Sequence, residues 1–255
     1  MKMLTVTFVT MVVVYVCICA AAFFAQRSML YFPHAPVAVS SGGDTETLQV
    51  PGATLNLTVR SLAGPRALIY FGGNAENVAY NLTDLSRAFP QHAIYLLHYR
   101  GFGGSTGEPT EAVLHADARA LFDRVHAAHP YITLIGRSLG SGIAVRLASL
   151  RPVARLILVT PYDSIQNIAV QRFPYLPVRW LLLDKFESWK YASRVSAPTA
   201  IIVAANDEVI PASNSAALYN AFVKGIATYS VIDGVTHDTV AESPAYLQLL
   251  AAMSN

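Results

Sequence analysis

The chain has 255 residues, 53% of them hydrophobic and only 13% charged, with a mean hydropathy of +0.39. A composition this apolar excludes a disordered protein and suits one large domain or two small ones. Eighteen Lys and Arg against 16 Asp and Glu give +2, and setting aside Lys2 and Arg27, which flank an N-terminal apolar run, leaves 16 against 16. A neutral body lacks the basic footprint of a nucleic-acid-binding protein, so no nucleic-acid partner is expected. Both cysteines, Cys17 and Cys19, lie in the apolar run. The rest of the chain therefore has no disulfide, thiolate nucleophile or Cys-based metal site.

Leu4–Ala25 is that run: 22 residues without a charge, a glycine or a proline. At ~1.5 Å per residue, a helix of this length crosses a ~30 Å hydrocarbon core. Two readings stand, an uncleaved signal anchor and a signal peptide cut near Ala20-Ala21-Ala22. The anchor is favoured, because the apolar stretch of a signal peptide is only ~7–15 residues. Bulky Tyr15 and Val16 before Cys17 disfavour a lipid-attachment site. Lys2 precedes the span and Arg27 follows it. That slight bias favours a single-pass membrane protein whose body is on the exported, periplasmic or extracellular side. Residues 1–27 are thus set apart as anchor or signal, and residues 28–255 as one domain.

After the anchor, Thr45–Val50 and Thr54–Arg60 alternate around Pro51-Gly52, a hairpin signal. Short apolar runs then follow at Ala67–Phe71, Ala93–Tyr99, Tyr131–Ile135, Leu156–Thr160, Thr199–Ala204 and Thr228–Ile232. Continuous apolar strands are those buried on both faces, as in a parallel sheet covered by helices. Helical stretches alternate with them, at Asn77–Ala88, Thr110–Ala128, Leu139–Leu150, Ala212–Phe222 and Pro244–Ala252. Thr110 supplies a cap and Pro130 a stop for the second. The expected architecture is α/β: a mostly parallel, roughly eight-stranded sheet with helices on both faces. Residues 163–195 break the alternation with two prolines and both tryptophans. They form either a helical excursion packed on the domain or a lid over a lipophilic pocket. In the lid reading Phe173, Trp180 and Leu182 line the acyl site.

Gly136-Arg137-Ser138-Leu139-Gly140 lies between an expected strand and an expected helix. A G-x-S-x-G pentapeptide in that context is a nucleophile elbow, with glycines where the turn leaves no room for side chains. Ser138 is the candidate nucleophile. A serine hydroxyl needs a base, and the base needs an orienting carboxylate. On this architecture they follow in the order Ser, Asp or Glu, His. Asp207, after the strand Thr199–Ala204, and His237, after Thr228–Ile232, meet that order. Glu208 competes with Asp207, which is favoured because it comes first off the strand. The remaining histidines lie near the anchor, on or beside one helix, before a strand, or, for His98, ahead of the nucleophile.

An oxyanion hole needs two backbone N–H groups. Leu139 supplies one; the other is expected from Gly72-Gly73-Asn74-Ala75, with Asn74 chosen over Ala75 and Gly73 close to the substrate. Tyr99-Arg100-Gly101-Phe102-Gly103-Gly104 reads as a structural turn, with Arg100 bracing the oxyanion loop. The loops hold too few His and carboxylate groups at ligand spacing for a metal. Neither a cofactor nor a metal is expected.

These residues together resemble the small membrane-anchored α/β-hydrolases of the abhydrolase-domain type, related to lysophospholipases, monoacylglycerol lipases and protein depalmitoylases. The resemblance is carried by Leu30-Tyr31-Phe32-Pro33, Gly-Gly-Asn-Ala-Glu-Asn, Tyr-Arg-Gly-Phe-Gly-Gly-Ser, Gly-Arg-Ser-Leu-Gly-Ser-Gly, Asn-Asp-Glu-Val-Ile-Pro and Thr-His-Asp. It implies the α/β-hydrolase fold and the same trio of Ser138, Asp207 and His237. Gly72 and His98 depart from it, standing where many relatives have His and Asp. The expected activity is hydrolysis of carboxylic esters or thioesters of apolar acyl groups, with a small-molecule or lipid-like substrate and the membrane as partner. A catalytically silent membrane-tethered scaffold and a serine aminopeptidase-like peptidase are the alternatives.

Overall fold

The computed structural model describes residues 2–36 and 43–254. The chain begins with α1 (Lys2–Leu30), a helix long and apolar enough to cross a membrane. None of its residues is fully buried. Its half-buried positions are confined to the second half and include Cys19, Ala22, Phe23, Gln26 and Leu30. Steps of three and four residues put these on one helix face, so α1 touches the body along a single stripe.

Eight strands of the described residues form one sheet in the order β1-β2-β4-β3-β5-β6-β7-β8. They are β1 (Asp44–Val50), β2 (Ala53–Arg60), β3 (Arg66–Phe71), β4 (Ala93–Leu97), β5 (Tyr131–Arg137), β6 (Arg155–Val159), β7 (Thr199–Ala204) and β8 (Ala227–Ile232). The turn at Pro51-Gly52 sets the β1–β2 register, pairing Val50 with Ala53, and Gly52 takes φ +76° there. Strand β2 is antiparallel to both neighbours, and the rest of the sheet is parallel.

The parallel strands are apolar throughout because both faces are covered. In β3, Ala67, Ile69 and Phe71 enter one core, shared with α3 (Glu111–His126) and α4 (Leu139–Ala148). Leu68 and Tyr70 enter the opposite core, shared with α2 (Leu82–Ala88) and α9 (Pro244–Ala252). The two-residue period of a strand makes that division. Each fully buried Leu or Ile side chain contributes ~1.5–3 kcal/mol relative to exposure.

Strand β5 runs two residues past its expected end, to Arg137, and α4 stops two short of its, at Ala148; two other departures have a visible local cause. The stretch at Asn77–Ala88 is a 3₁₀ turn at Val78–Asn81 followed by α2; the Asn77 side chain accepts the Ala79 N–H at 3.2 Å and caps that turn. Strand β4 stops at Leu97, and the Ser105 hydroxyl donates to the His98 carbonyl at 2.8 Å, turning the chain into the glycine-rich loop. Thr110 caps α3 as expected, accepting the Val113 N–H at 3.3 Å.

Between β6 and β7 lie three short helices, α5 (Ile165–Arg172), α6 (Val178–Leu181) and α7 (Trp189–Ala192). The segment is pinned at its ends. The Asn214 side chain, on α8 (Ala212–Ala221), donates to Asp163 Oδ1 at 2.7 Å, and Lys185 N–H donates to Glu111 Oε2 at 2.7 Å. Between these pins its middle is exposed, with Tyr175 at 88% and Trp180 at 87%.

Candidate active site

Strands β3, β5, β7 and β8 run parallel, so the loops that follow them emerge at one edge of the sheet, the usual ligand crevice of open α/β sheets. After β5 the backbone makes a strained turn at Ser138, with φ 48° and ψ −117°. Such a conformation costs a non-glycine residue about 1–3 kcal/mol and persists only where its surroundings over-determine it. They do so here. The Ser138 N–H donates to Val159 O at 2.9 Å and Gly140 N–H to Gly72 O at 3.1 Å. A Cβ on Gly140 would lie 2.0 Å from Phe71 O, and one on Gly136 2.5 Å from Gly140 O. The backbones approach so closely that only glycine fits either position.

Ser138 Oγ lies 3.0 Å from His237 Nε2. On the other side of the imidazole, Nδ1 lies 2.9 Å from Asp207 Oδ2 and 3.1 Å from Oδ1. The Asp207 carboxylate also accepts the Val209 and Ile210 N–H groups at 2.9 and 2.7 Å, which fix its orientation. Its side chain is 2% exposed and that of His237 9%. Glu208 is exposed and does not share this network. With the carboxylate on Nδ1, that nitrogen carries the proton in the neutral ring and Nε2 is left to accept from the serine hydroxyl.

Leu139 opens α4, so its N–H has no intrahelical acceptor and lies next to the Ser138 hydroxyl. The loop after β3 is held in three ways. The Gly73 N–H donates to Glu76 Oε2 at 2.6 Å. The Asn74 side chain donates to Leu30 O at 2.9 Å, and Phe32 N–H donates to Asn74 O at 3.0 Å. A Cβ on Gly73 would lie 3.7 Å from the Ser138 Cβ. Gly73 therefore borders the serine, but its own N–H is turned to Glu76. Among the described residues, the Asn74 and Ala75 N–H groups have no protein acceptor.

The sequence reading missed how these loops are tied together. The Glu76 carboxylate accepts from Gly73 N–H, from Tyr70 Oη and from the Asn81 side chain, the last two at 2.7 Å. It also lies 3.3 Å from Arg137 Nη1. The Nη2 of Arg137 donates to the carbonyls of His237 and Asp238 at 3.2 and 3.3 Å. One ion pair thus joins the oxyanion loop, the elbow and the histidine loop. Burial alone would lower the Arg137 pKa, but the Glu76 charge, with Tyr70 and Tyr246, raises it above the ordinary value. The available signal was the charged pair itself, Arg137 inside the pentapeptide and Glu76 in the glycine loop.

Arg100, expected to brace the oxyanion loop, does not. It makes a bidentate pair with Asp117 at 2.8 Å and donates to Pro51 O at 3.0 Å. The loop contact from that turn comes from Tyr99, whose hydroxyl donates to Gly72 O at 2.9 Å. His98 is buried outside the triad, 2.9 Å from Thr58 Oγ1; burial, assisted by the charge of His34, lowers its pKa to about 4.

The three lid residues separate. Phe173 and Leu182 border an apolar cavity against α1. Trp180 is 87% exposed and does not line that cavity, which corrects its assignment to a pocket wall. Pro177 sets the start of α6, and the ring two positions into that single helical turn is directed outward.

A family profile for the α/β hydrolase fold matches residues 66–186. An uncharacterized protein of Mycobacterium tuberculosis is 37% identical over 227 residues, covering 84% of this chain and 80% of that one. The α/β-hydrolase domain-containing protein aho-3 of Caenorhabditis elegans is 33% identical over 190 residues, covering 72% of this chain and 55% of that one. The solved structure of mouse α/β-hydrolase domain-containing protein 10 superposes with a TM-score of 0.65 at 18% identity, covering 82% of this chain and 96% of that one. The chain belongs to the abhydrolase-domain family of α/β-hydrolases.

Proposed function

We propose that the protein is a serine hydrolase that cleaves carboxylic esters or thioesters of apolar acyl groups, with residues 28–255 as its catalytic domain. The observation that carries this reading is the unbroken hydrogen-bond chain from Asp207 through His237 to Ser138. His237 Nε2 takes the hydroxyl proton as Ser138 Oγ bonds to the acyl carbon, and the Asp207 carboxylate stabilises the imidazolium that forms. The oxyanion is received by the N–H groups of Leu139 and Asn74. When the tetrahedral adduct collapses, the bond to the leaving oxygen or sulfur breaks and His237 returns the proton to it. Water then adds to the acyl-serine by the same proton route, and the carboxylic acid leaves.

The 29-residue apolar helix supports a single membrane span, and Lys2 before it favours a body on the exported side. Carbonate extraction and protease protection of the full-length protein check this. Retention in the membrane and a protease-accessible body are expected. Full-length material recovered soluble and shortened near Ala22 would show a cleaved signal peptide instead.

The decisive test of activity is fluorophosphonate labelling, competed with a panel of acyl esters and acyl thioesters. Labelling at Ser138 and its loss in Ser138→Ala are expected, with turnover falling by a factor on the order of 10³–10⁶. Substantial esterase activity in folded Ser138→Ala protein would overturn the assignment.

A further inference from the structure

An apolar cavity of about 280 Å³ lies between the C-terminal part of α1 and the segment bearing α5 and α6. Ala22, Gln26 and Leu30 form one wall, and Ala169, Phe173 and Leu182 the other. The Gln26 side chain is occupied by the opposite wall, accepting Leu183 N–H at 2.7 Å and donating to Leu181 O at 3.2 Å. Arg27 closes the seam by an ion pair to Asp184 at 3.1 Å. The polar groups of the seam are thus spent on joining helix to lid, and the surface left inside is apolar.

The cavity is linked to the loop beside Ser138 through Leu30, and it lies along the helix that carries the apolar span. Leu30, one of its walls, holds the Asn74 side chain at 2.9 Å, and Asn74 follows Gly73, which borders Ser138. At the other end, Tyr15 Oη donates to Tyr175 O at 3.0 Å. That contact lies twelve residues before Arg27, the first charge after the span, or ~18 Å along the helix. Exposed Tyr175 therefore stands beside the apolar span.

We propose that this cavity is the acyl subsite, that it holds a single acyl chain of a membrane-resident ester or thioester, and that α1 is one of its walls as well as the anchor. The proposal rests on the serine-hydrolase reading and adds where the substrate sits. A volume just below the ~300–1,000 Å³ typical of ligand sites suits one chain, and is too small for a docked helix. The apolar lining has no partner to offer a headgroup, which is left at the Ser138 end. A chain in the bilayer reaches the cavity by moving sideways between α1 and the lid, without crossing water.

The test uses full-length protein in phosphatidylcholine vesicles and p-nitrophenyl esters from acetyl to decanoyl. Each methylene buried in the subsite is worth about fourfold in kcat/KM. Ala22→Phe and Ala169→Phe fill the cavity from opposite walls. Each is expected to lower the decanoyl-to-acetyl ratio of kcat/KM about tenfold or more, while Val13→Phe, on the exposed part of α1, leaves the ratio as in wild type. In parallel, a decyl fluorophosphonate with a terminal diazirine is loaded onto wild-type protein and irradiated. Crosslinks are expected in peptides covering residues 22–30 or 165–182. Ratios within twofold of wild type in both filled variants, or crosslinks only elsewhere, overturn the subsite while leaving the serine-hydrolase reading intact. Failure of the wild-type protein to label at Ser138 overturns that reading, and the subsite with it.

Discussion

The two sides of the candidate site are built on different physical terms. On the sheet side, the elbow is held by backbone contacts so close that Gly136 and Gly140 admit no side chain. Ser138 keeps its positive φ because its neighbours leave it no other conformation. On the lid side, α5, α6 and α7 span eight, four and four residues, and helices that short depend on tertiary contacts for their stability. Ile165 and Ile168 on α5 and Ala192 on α7 pack into the main core, whereas the stretch between them that bears Tyr175 and Trp180 is exposed. Reactive geometry needs sub-ångström placement and is entrusted to the densely packed region. In the proposed reaction, holding an apolar chain, which tolerates adjustment, would fall to the lid segment with its exposed middle.

Five predictions test that division, the largest effect first. Asp207→Asn should lower kcat by ~10⁴, since an amide partner leaves the imidazole in the wrong tautomer. Glu208→Gln, at an exposed position, should leave kcat within a few-fold. Comparable losses in the two variants would reverse the choice of acid.

Gly140→Ala should be the most damaging single methyl in the protein. Its Cβ would meet the Phe71 carbonyl at 2.0 Å, and backbone cannot yield as a side chain can. A loss on the order of 3 kcal/mol or failure to fold is expected in denaturant titration. A stable, active Gly140→Ala protein would refute the packing account of the elbow.

Arg137→Met should cost both stability and turnover, because it strands the Glu76 carboxylate beneath the oxyanion loop. Removing one partner of a buried pair costs ~3–5 kcal/mol; with side chains 14% and 12% exposed, the lower end applies. A kcat drop of about 10² with KM nearly unchanged is expected, as the loops carrying the N–H donors and His237 lose their common tie. Adding Glu76→Gln should restore part of the stability. A rise in KM with kcat nearly unchanged would make Arg137 a substrate-binding group instead.

The fourth prediction concerns acid. Burial lowers the pKa of His98 to about 4, and burial with the charges of Arg66 and Arg60 does the same for His92. Both are neutral when folded, whereas an unfolded histidine titrates near ~6.5. The unfolded state therefore binds more protons between these values. This stability is complete above pH ~6.5 and is lost progressively as pH falls toward about 4. The loss by pH 5 is of order 1–2 kcal/mol per histidine. Unfolding of His98→Gln measured at pH 7.5 and 5 should show a shallower decline than wild type. An identical decline would place the acid sensitivity elsewhere.

The smallest effect belongs to Trp180→Ser. At 87% exposure its removal should change the unfolding free energy by less than ~0.5 kcal/mol. A loss of several kcal/mol would mean that the lid packs more tightly than its exposed face indicates.

The strands and the order of the candidate residues were legible because both rest on local chemistry. Strands buried on both faces read as unbroken apolar runs, and every one of the eight appears within two residues of its expected bounds. The exceptions in length are β5, which runs two residues further to Arg137, and β4, whose last two expected residues are drawn off by contacts that sequence does not display. Ser138, Asp207 and His237 were found through turn chemistry and chain order, which the architecture imposes. The Glu76–Arg137 tie, the true partner of Arg100 and the outward face of Trp180 were not legible. Each depends on which of several charged or apolar groups meets which across 17 or more residues of chain, and periodicity carries no information about that.

The same boundary runs through α1. Composition alone determined that residues 4–25 form an apolar helix long enough to cross a bilayer, because hydrocarbon thickness and helix rise are fixed quantities. Tertiary structure decided that the helix continues to Leu30 and presents Ala22, Gln26 and Leu30 to the lid. It also decided that the carbonyl at the helix end holds the Asn74 side chain, next to Gly73, which borders Ser138. Hydrophobicity specifies that a surface must leave water; only packing specifies what it meets.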